Sequence, residues 1–256
     1  MSGLLDELIS KSGELRWALI VMVACLPVEM LLGTGHKVPW AERAGNVGAM
    51  LVNFTCGVTL VSLLLRQSLG QRWLDYPDTP RWAALGNPVV YAIVVVFLVD
   101  GLYYVYHRLQ HTVPLLWHIH KLHHTDPAVN VTTARRTHFL ERPIQLIFLV
   151  VPVLWLLGGN DAGFVWMAIL GPGFLYFSHL DARIALGPLT PVVVGPQYHR
   201  IHHACIAGTE HANFAQAFPL FDILGGTYQR PALGEYPATG VAGCDDAASR
   251  WRPLLW

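Results

Sequence analysis

Charge is scarce in this sequence. Only 13% of its 256 residues are Asp, Glu, Lys or Arg, the formal net charge is zero, and 53% of residues are hydrophobic. A chain so poor in charge offers no broad basic face to a nucleic acid, so that class of partner is excluded. Its mean hydropathy of +0.40 is too high for an ordinary soluble domain of this size and points to a membrane protein. Cysteine is scarce as well: Cys25, Cys56, Cys205 and Cys244 are scattered and form no CxxC pair. They imply no disulfide framework, no iron–sulfur cluster and no structural zinc site. GxGxxG, CxxCH, HExxH, ExxH and GxSxG are all missing. Their absence removes the dinucleotide, haem, zinc-protease, carboxylate di-iron and serine-hydrolase readings.

Long apolar runs are plentiful. Trp17 to Leu32, Val47 to Leu65 and Val89 to about Tyr106 approach the roughly 20 apolar residues that a spanning helix needs. The N-terminal stretch MSGLLDELISKSGELRW has acidic residues before the first run and no small-residue cleavage site, so a retained anchor is expected there. Two shorter runs, Pro143 to Leu157 and Ala162 to Ser178, flank Gly158-Gly159-Asn160-Asp161 and read as a helical hairpin with a tight turn. Each is marginal for a full crossing, and a re-entrant course stays open for either. The expected fold is an all-α integral membrane protein of four to five apolar helices carrying a histidine-rich helical cap. Residues 107–142 and the tail after 179 hold ten of the 17 basic residues, so the positive-inside rule puts the cap on the cytoplasmic side.

Histidine is the residue in excess. Eight of thirteen fall into three clusters: His107 and His111 as HxxxH, His120, His123 and His124 as HxxHH, and His199, His202 and His203 as a second HxxHH. Residues three and four apart share a helix face, so each cluster converges imidazole nitrogens in one direction. Imidazole suits iron, zinc, copper and nickel. His179, at the end of the fifth apolar run, emerges on the same side and is a ninth candidate ligand. Nine histidines exceed the four ligands of one tetrahedral ion and suit two metals. His118 points nearly opposite His120, and His36 lies in a loop; neither is expected to be a ligand. His138 is read equally well as a ligand or a group bonded to one, on the one hand, and as an interfacial residue on the other, and His211 is an outlying candidate for the same role.

These residues carry a resemblance. DGLYYVYHRLQH (100–111), PLLWHIHKLHH (114–124), QYHRIHH (197–203) and FDILGGTY (221–228) resemble the membrane fatty acid hydroxylase/sterol desaturase superfamily. The resemblance spans about residues 90 to 230 and divides the chain into N-terminal anchor helices (1–88), a catalytic domain (89–230) and a tail (231–256). It departs at His211, where the family usually has Asp, and at Gly225-Gly226, where it usually has Phe-Gly. What it implies is a non-haem di-iron centre with O2 as co-substrate, hydroxylating or desaturating an unactivated C–H position of a fatty acyl or sterol-like lipid. Asp100, seven residues before His107 on the same face, is expected either to accept a hydrogen bond from a ligating imidazole or to pair with Arg108 or another arginine. No site for an electron-carrying cofactor is legible, so an external ferredoxin, cytochrome or reductase is the implied partner. The competing reading is a membrane metal-binding protein or metal transporter. It suits the residues less, because transport would place ligands along the spanning helices rather than at their ends.

Overall fold

The computed structural model describes residues 2–66, 87–157, 171–206, 211–244 and 246–254. Among these the regular elements are helical, and the one β-type pairing is an isolated bridge between Ala204 and Thr239. Residues 67–86, the expected Gly-Gly-Asn turn and residues 162–170 of the fifth apolar run lie outside the described residues.

Helix α1 runs Ser2–Leu32, α2 Trp40–Val52 and α3 Val58–Arg66, the last two joined by a π-helical turn, Asn53–Gly57. Helix α4 spans Pro88–Thr112. Among the described residues three segments are long and apolar enough to cross a membrane: Leu15–Leu32, Trp40–Leu65 and Val89–Thr112. At 1.5 Å per residue even the 18-residue segment reaches about 27 Å, close to the hydrocarbon thickness. Their outer faces leave Trp17, Val23, Met30, Val89 and Ile93 exposed, as a lipid-facing surface requires.

Shorter helices complete the described chain. Helix α5 is Pro114–His124, α6 Glu141–Gln145, α7 Val151–Leu157, α8 Gly171–Ser178, α9 Pro196–His202, α10 Leu220–Gly225 and α11 Ala247–Trp251. A second π-turn, Leu146–Val150, links α6 to α7, so the fourth apolar run is helical from Glu141 to Leu157. Val95 and Val99 of α4 pack with Leu149, Val153 and Ala217 in one core cluster. Ala18 and Met22 of α1 meet Met50 of α2 and Val131, Ala134 and Tyr176 of the cap in another.

Polar side chains on the apolar helices join them to the cap. Glu29, buried on α1, accepts hydrogen bonds from the backbone N–H of Val131 (2.6 Å) and of Asp181 (3.0 Å), and pairs with Arg43 (2.7 Å). Asn46 of α2 donates to Asp126 (2.7 Å) and accepts from Arg136 (2.8 Å), which also donates to the Leu122 carbonyl (2.9 Å) at the end of α5. The Arg136 guanidinium lies 3.6 Å from the centre of the Trp251 ring. The cap-side ends are therefore the C-terminus of α1, the N-terminus of α2 and the C-terminus of α4, so the three apolar segments alternate in direction.

Replacing Glu29 by Ala leaves two buried N–H groups without their acceptor and the half-buried Arg43 with only Asn130 as a partner. We expect a loss of about 3–5 kcal/mol, seen as a lower denaturation midpoint in detergent at a fixed scan rate. An unchanged midpoint contradicts this role.

Candidate metal centre

Proline decides how the first two clusters meet. Pro114 disfavours helical geometry at Val113, which sits at φ −93° and ψ 117°, and then serves as the first residue of α5. The chain turns at that point and lays α5 against the last turns of α4. His107 and His120 come to 5.1 Å between ring centres, and His111 and His124 to 4.6 Å. Helix α9, also opened by a proline, brings His202 to 4.6 Å from His107 and 4.7 Å from His124.

All nine imidazoles singled out from the sequence are buried, and they form two groups. His107, His111, His120, His124 and His202 make the first; His123, His179, His199 and His203 make the second. Within each group one nitrogen from every ring lies within 4.8 Å of all the others. The partition follows helix geometry. Each i, i+4 pair (107 with 111, 120 with 124, 199 with 203) stays together, and the remaining histidine of each HxxHH crosses to the other group. Neighbours in sequence are rotated by about 100° on a helix, so His123 and His124 face different centres, as do His202 and His203. The groups adjoin: the His124 and His203 rings stack 4.2 Å apart across the boundary.

In the second group the Nε2 atoms converge. Those of His123 and His179 are 3.1 Å apart, those of His179 and His199 3.2 Å, and those of His199 and His203 3.2 Å. Nitrogens held about 2.0–2.1 Å from a common ion stand about 3 Å from one another, so this spacing fits a metal. In the first group the Nε2 atoms of His107, His120, His124 and His202 are buried with no hydrogen-bond partner. Four unsatisfied acceptors in so small a volume are costly unless a cation takes them up.

Burial keeps the imidazoles neutral. Desolvation, followed by repulsion among neighbouring imidazoles, holds His123, His124, His199 and His203 well below the usual histidine range. Desolvation also pushes His179 down to about 4 and His202 down to about 3, with hydrogen bonds to the Leu175 and Ala212 carbonyls opposing it. A neutral ring carries one proton, and its outer partner decides which nitrogen holds it. The Nδ1–H of His107 donates to the Phe214 carbonyl (2.7 Å), that of His202 to Ala212 (2.8 Å) and that of His179 to Leu175 (2.7 Å). The Nδ1–H of His120 donates to Glu141 Oε1 (2.9 Å). In all four the lone pair is thereby left on the inward nitrogen.

The loop that supplies two of those carbonyls is itself clamped. Asp222 accepts from Phe214 N (2.8 Å), Ala215 N (2.7 Å), Tyr198 Oη (2.8 Å) and Thr227 Oγ1 (2.7 Å). Asn213, at φ 60°, donates to the carbonyls of Tyr198 and Gln229 and accepts from Gln229 N. Gly225 lies so close to the Tyr104 hydroxyl that any side chain there would overlap it. Tyr104 thus occupies the space at the position where the chain departs from the superfamily pattern.

Asp100 differs from expectation. Its buried carboxylate accepts from the backbone N–H groups of Ala217 (3.0 Å) and Phe218 (2.9 Å) and from no imidazole. Seven residues share a face but rise about 10 Å along the axis, too far for a direct bond to His107. Arg108 does not pair with it; it donates to Tyr104 Oη and the Gly225 carbonyl. His138 is buried outside both groups, its Nδ1 accepting from Leu140 N (3.1 Å). His211 and His118 are exposed, and His36 contacts the Tyr236 carbonyl. Glu141 and its partner Gln110, whose amide donates to Glu141 Oε1 at 2.6 Å, were not anticipated. Glu141 lies 21 residues from His120, and no motif spacing joins them.

The model of the family described as fatty acid hydroxylase matches residues 92–227. The chain is 27% identical over 168 residues to ornithine lipid hydroxylase OlsE of Rhizobium tropici, covering 66% of this chain and 49% of that protein. It is 24% identical over 242 residues to an alkylglycerol monooxygenase of Caenorhabditis elegans, covering 93% and 46% respectively. It is 30% identical over 158 residues to very-long-chain aldehyde decarbonylase GL1-1 of Oryza sativa subsp. indica, covering 58% and 25%. The chain thus spans about half or less of the length of these curated relatives. No solved structure matches it.

Asp222→Asn turns an amide donor toward at least one of the donors that Asp222 now satisfies. It is expected to cost about 1–3 kcal/mol and to lower bound metal, read by thermal denaturation and elemental analysis. Tyr198→Phe removes one bond and is expected to cost about 1 kcal/mol. Equal effects from the two variants contradict the clamp.

Proposed function

The chain belongs to the fatty acid hydroxylase family, and on that premise we propose that it is a membrane-bound, O2-dependent di-iron oxidoreductase acting on an unactivated C–H bond of a lipid. The observation that carries this reading is the pair of adjoining, wholly imidazole donor groups, five and four histidines strong. Iron accepts imidazole readily, and the relatives' names are those of enzymes that oxidise or shorten lipid chains.

Two ferrous ions bound there would supply activation of O2 for attack on carbon. The chain's residues do the rest. Phe214, Ala212, Leu175 and Glu141 orient four of the rings, and burial excludes water from all nine. Trp117 stands beside the first group, its ring 5.0 Å from His111 and 5.5 Å from His124, and offers apolar surface to a lipid chain. Hydroxylation converts the C–H bond to C–OH and releases the second oxygen of O2 as water, taking up two electrons and two protons. Those electrons come from an external carrier such as a ferredoxin, cytochrome or reductase. The basic residues flanking the clusters support a cytoplasmic cap and a carrier that approaches from that side.

Lipid extracts of cells with and without the protein, compared by mass spectrometry, test the reaction. A gain of one oxygen identifies hydroxylation and a loss of two hydrogens identifies desaturation. His123→Ala and His202→Ala should each lower product more than about 100-fold, beyond the 10–100-fold typical of a ligand's outer partner, and should lower bound iron. Full product from both variants overturns the assignment. Exchangeable zinc with metal-dependent flux, and no lipid change, favours the transporter instead.

A further inference from the structure

The two donor groups are not equivalent on their outer sides. In the five-histidine group His107 and His202 each meet a carbonyl, and His120 meets a carboxylate. In the four-histidine group, among the described residues, only His179 has such a partner, the Leu175 carbonyl. The outer Nδ1 atoms of His123, His199 and His203 are buried without a hydrogen-bond partner. An imidazole whose outer N–H is taken by a carboxylate becomes a stronger donor at its inner nitrogen, and one with no outer partner gains nothing.

Glu141 is placed for this and for little else. Its side chain is only 12% exposed, its Oε1 receives both His120 and Gln110, and its Oε2 is buried with no partner. A half-satisfied buried carboxylate is destabilising on its own. A cation bound through His120 would stand one imidazole away and would compensate the charge that the protein leaves unbalanced.

We propose that Glu141, acting through His120, makes the five-histidine position the tighter of two metal sites, and that the four-histidine position is the exchangeable one. Glu141 is a positioning residue: it touches neither metal nor substrate. The inference rests on the two-metal reading above, and its test separates the two.

Purified protein loaded with cobalt(II) or iron(II) is titrated with a competing chelator, and metal per chain is counted at each step. The wild type should release one ion readily and hold the second to higher chelator concentration. Glu141→Gln retains size and an acceptor oxygen for His120 but removes the charge, so the held ion should be released at about 10–100-fold lower chelator. Glu141→Asp, which keeps the charge, should restore the two-step release at least in part, and it serves as the informative variant if the glutamine form is poorly folded. His179→Ala should remove the readily released ion and leave the held one. Unchanged two-step release in Glu141→Gln overturns the proposal, as does loss of the held ion in His179→Ala. A wild type that binds a single ion overturns the two-metal reading itself.

Discussion

Fixing a neutral imidazole with its lone pair inward requires an outside acceptor for the proton on its other nitrogen, and four of the nine rings have one. Nine buried rings in one small volume make that requirement severe, and much of the cap's architecture follows from it. Phe214 and Ala212 lend their carbonyls because the loop that carries them is held on both sides. Asp222 takes its N–H groups at Phe214 and Ala215, and Asp100 takes those at Ala217 and Phe218. Two buried acids thus act on the histidines at one remove, through the backbone.

The same economy of polar contacts attaches the cap to the membrane helices. Glu29 on α1, Asn46 on α2 and Asn53 in the π-turn each reach a cap segment near a histidine. The Glu29 contact to Asp181 fixes the chain two residues past His179. That of Asn53 to the His138 carbonyl (2.8 Å) fixes the segment leading to Glu141. Polar residues in apolar helices are expensive. Here each one satisfies backbone or side-chain groups that the cap would otherwise leave unpaired.

Much of this was legible in the sequence, for local reasons. The apolar runs follow from length and hydropathy, and the three clusters from i, i+3 and i+4 spacing. Spacing also contains the division into five and four, because adjacent helical residues cannot face one centre; the sequence reading instead put His120, His123 and His124 on a single face. His179 was found through its place at the end of an apolar run. Glu141, Gln110 and the carbonyls were not found, since a backbone carbonyl has no sequence signature and Glu141 meets His120 only after α6 folds over α5. Asp100 was expected to meet an imidazole or an arginine, but the two turns separating it from His107 direct it to the Ala217–Phe218 backbone.

We propose that nine histidines hold two metal ions in adjoining all-imidazole sites. Iron X-ray absorption on the purified, iron-loaded protein, with iron counted per chain, tests it most directly. Two irons per chain, with nearest-neighbour scattering dominated by the pattern of imidazole nitrogen, are expected. One iron per chain, or a first shell dominated by sulfur or carboxylate oxygen, would contradict it.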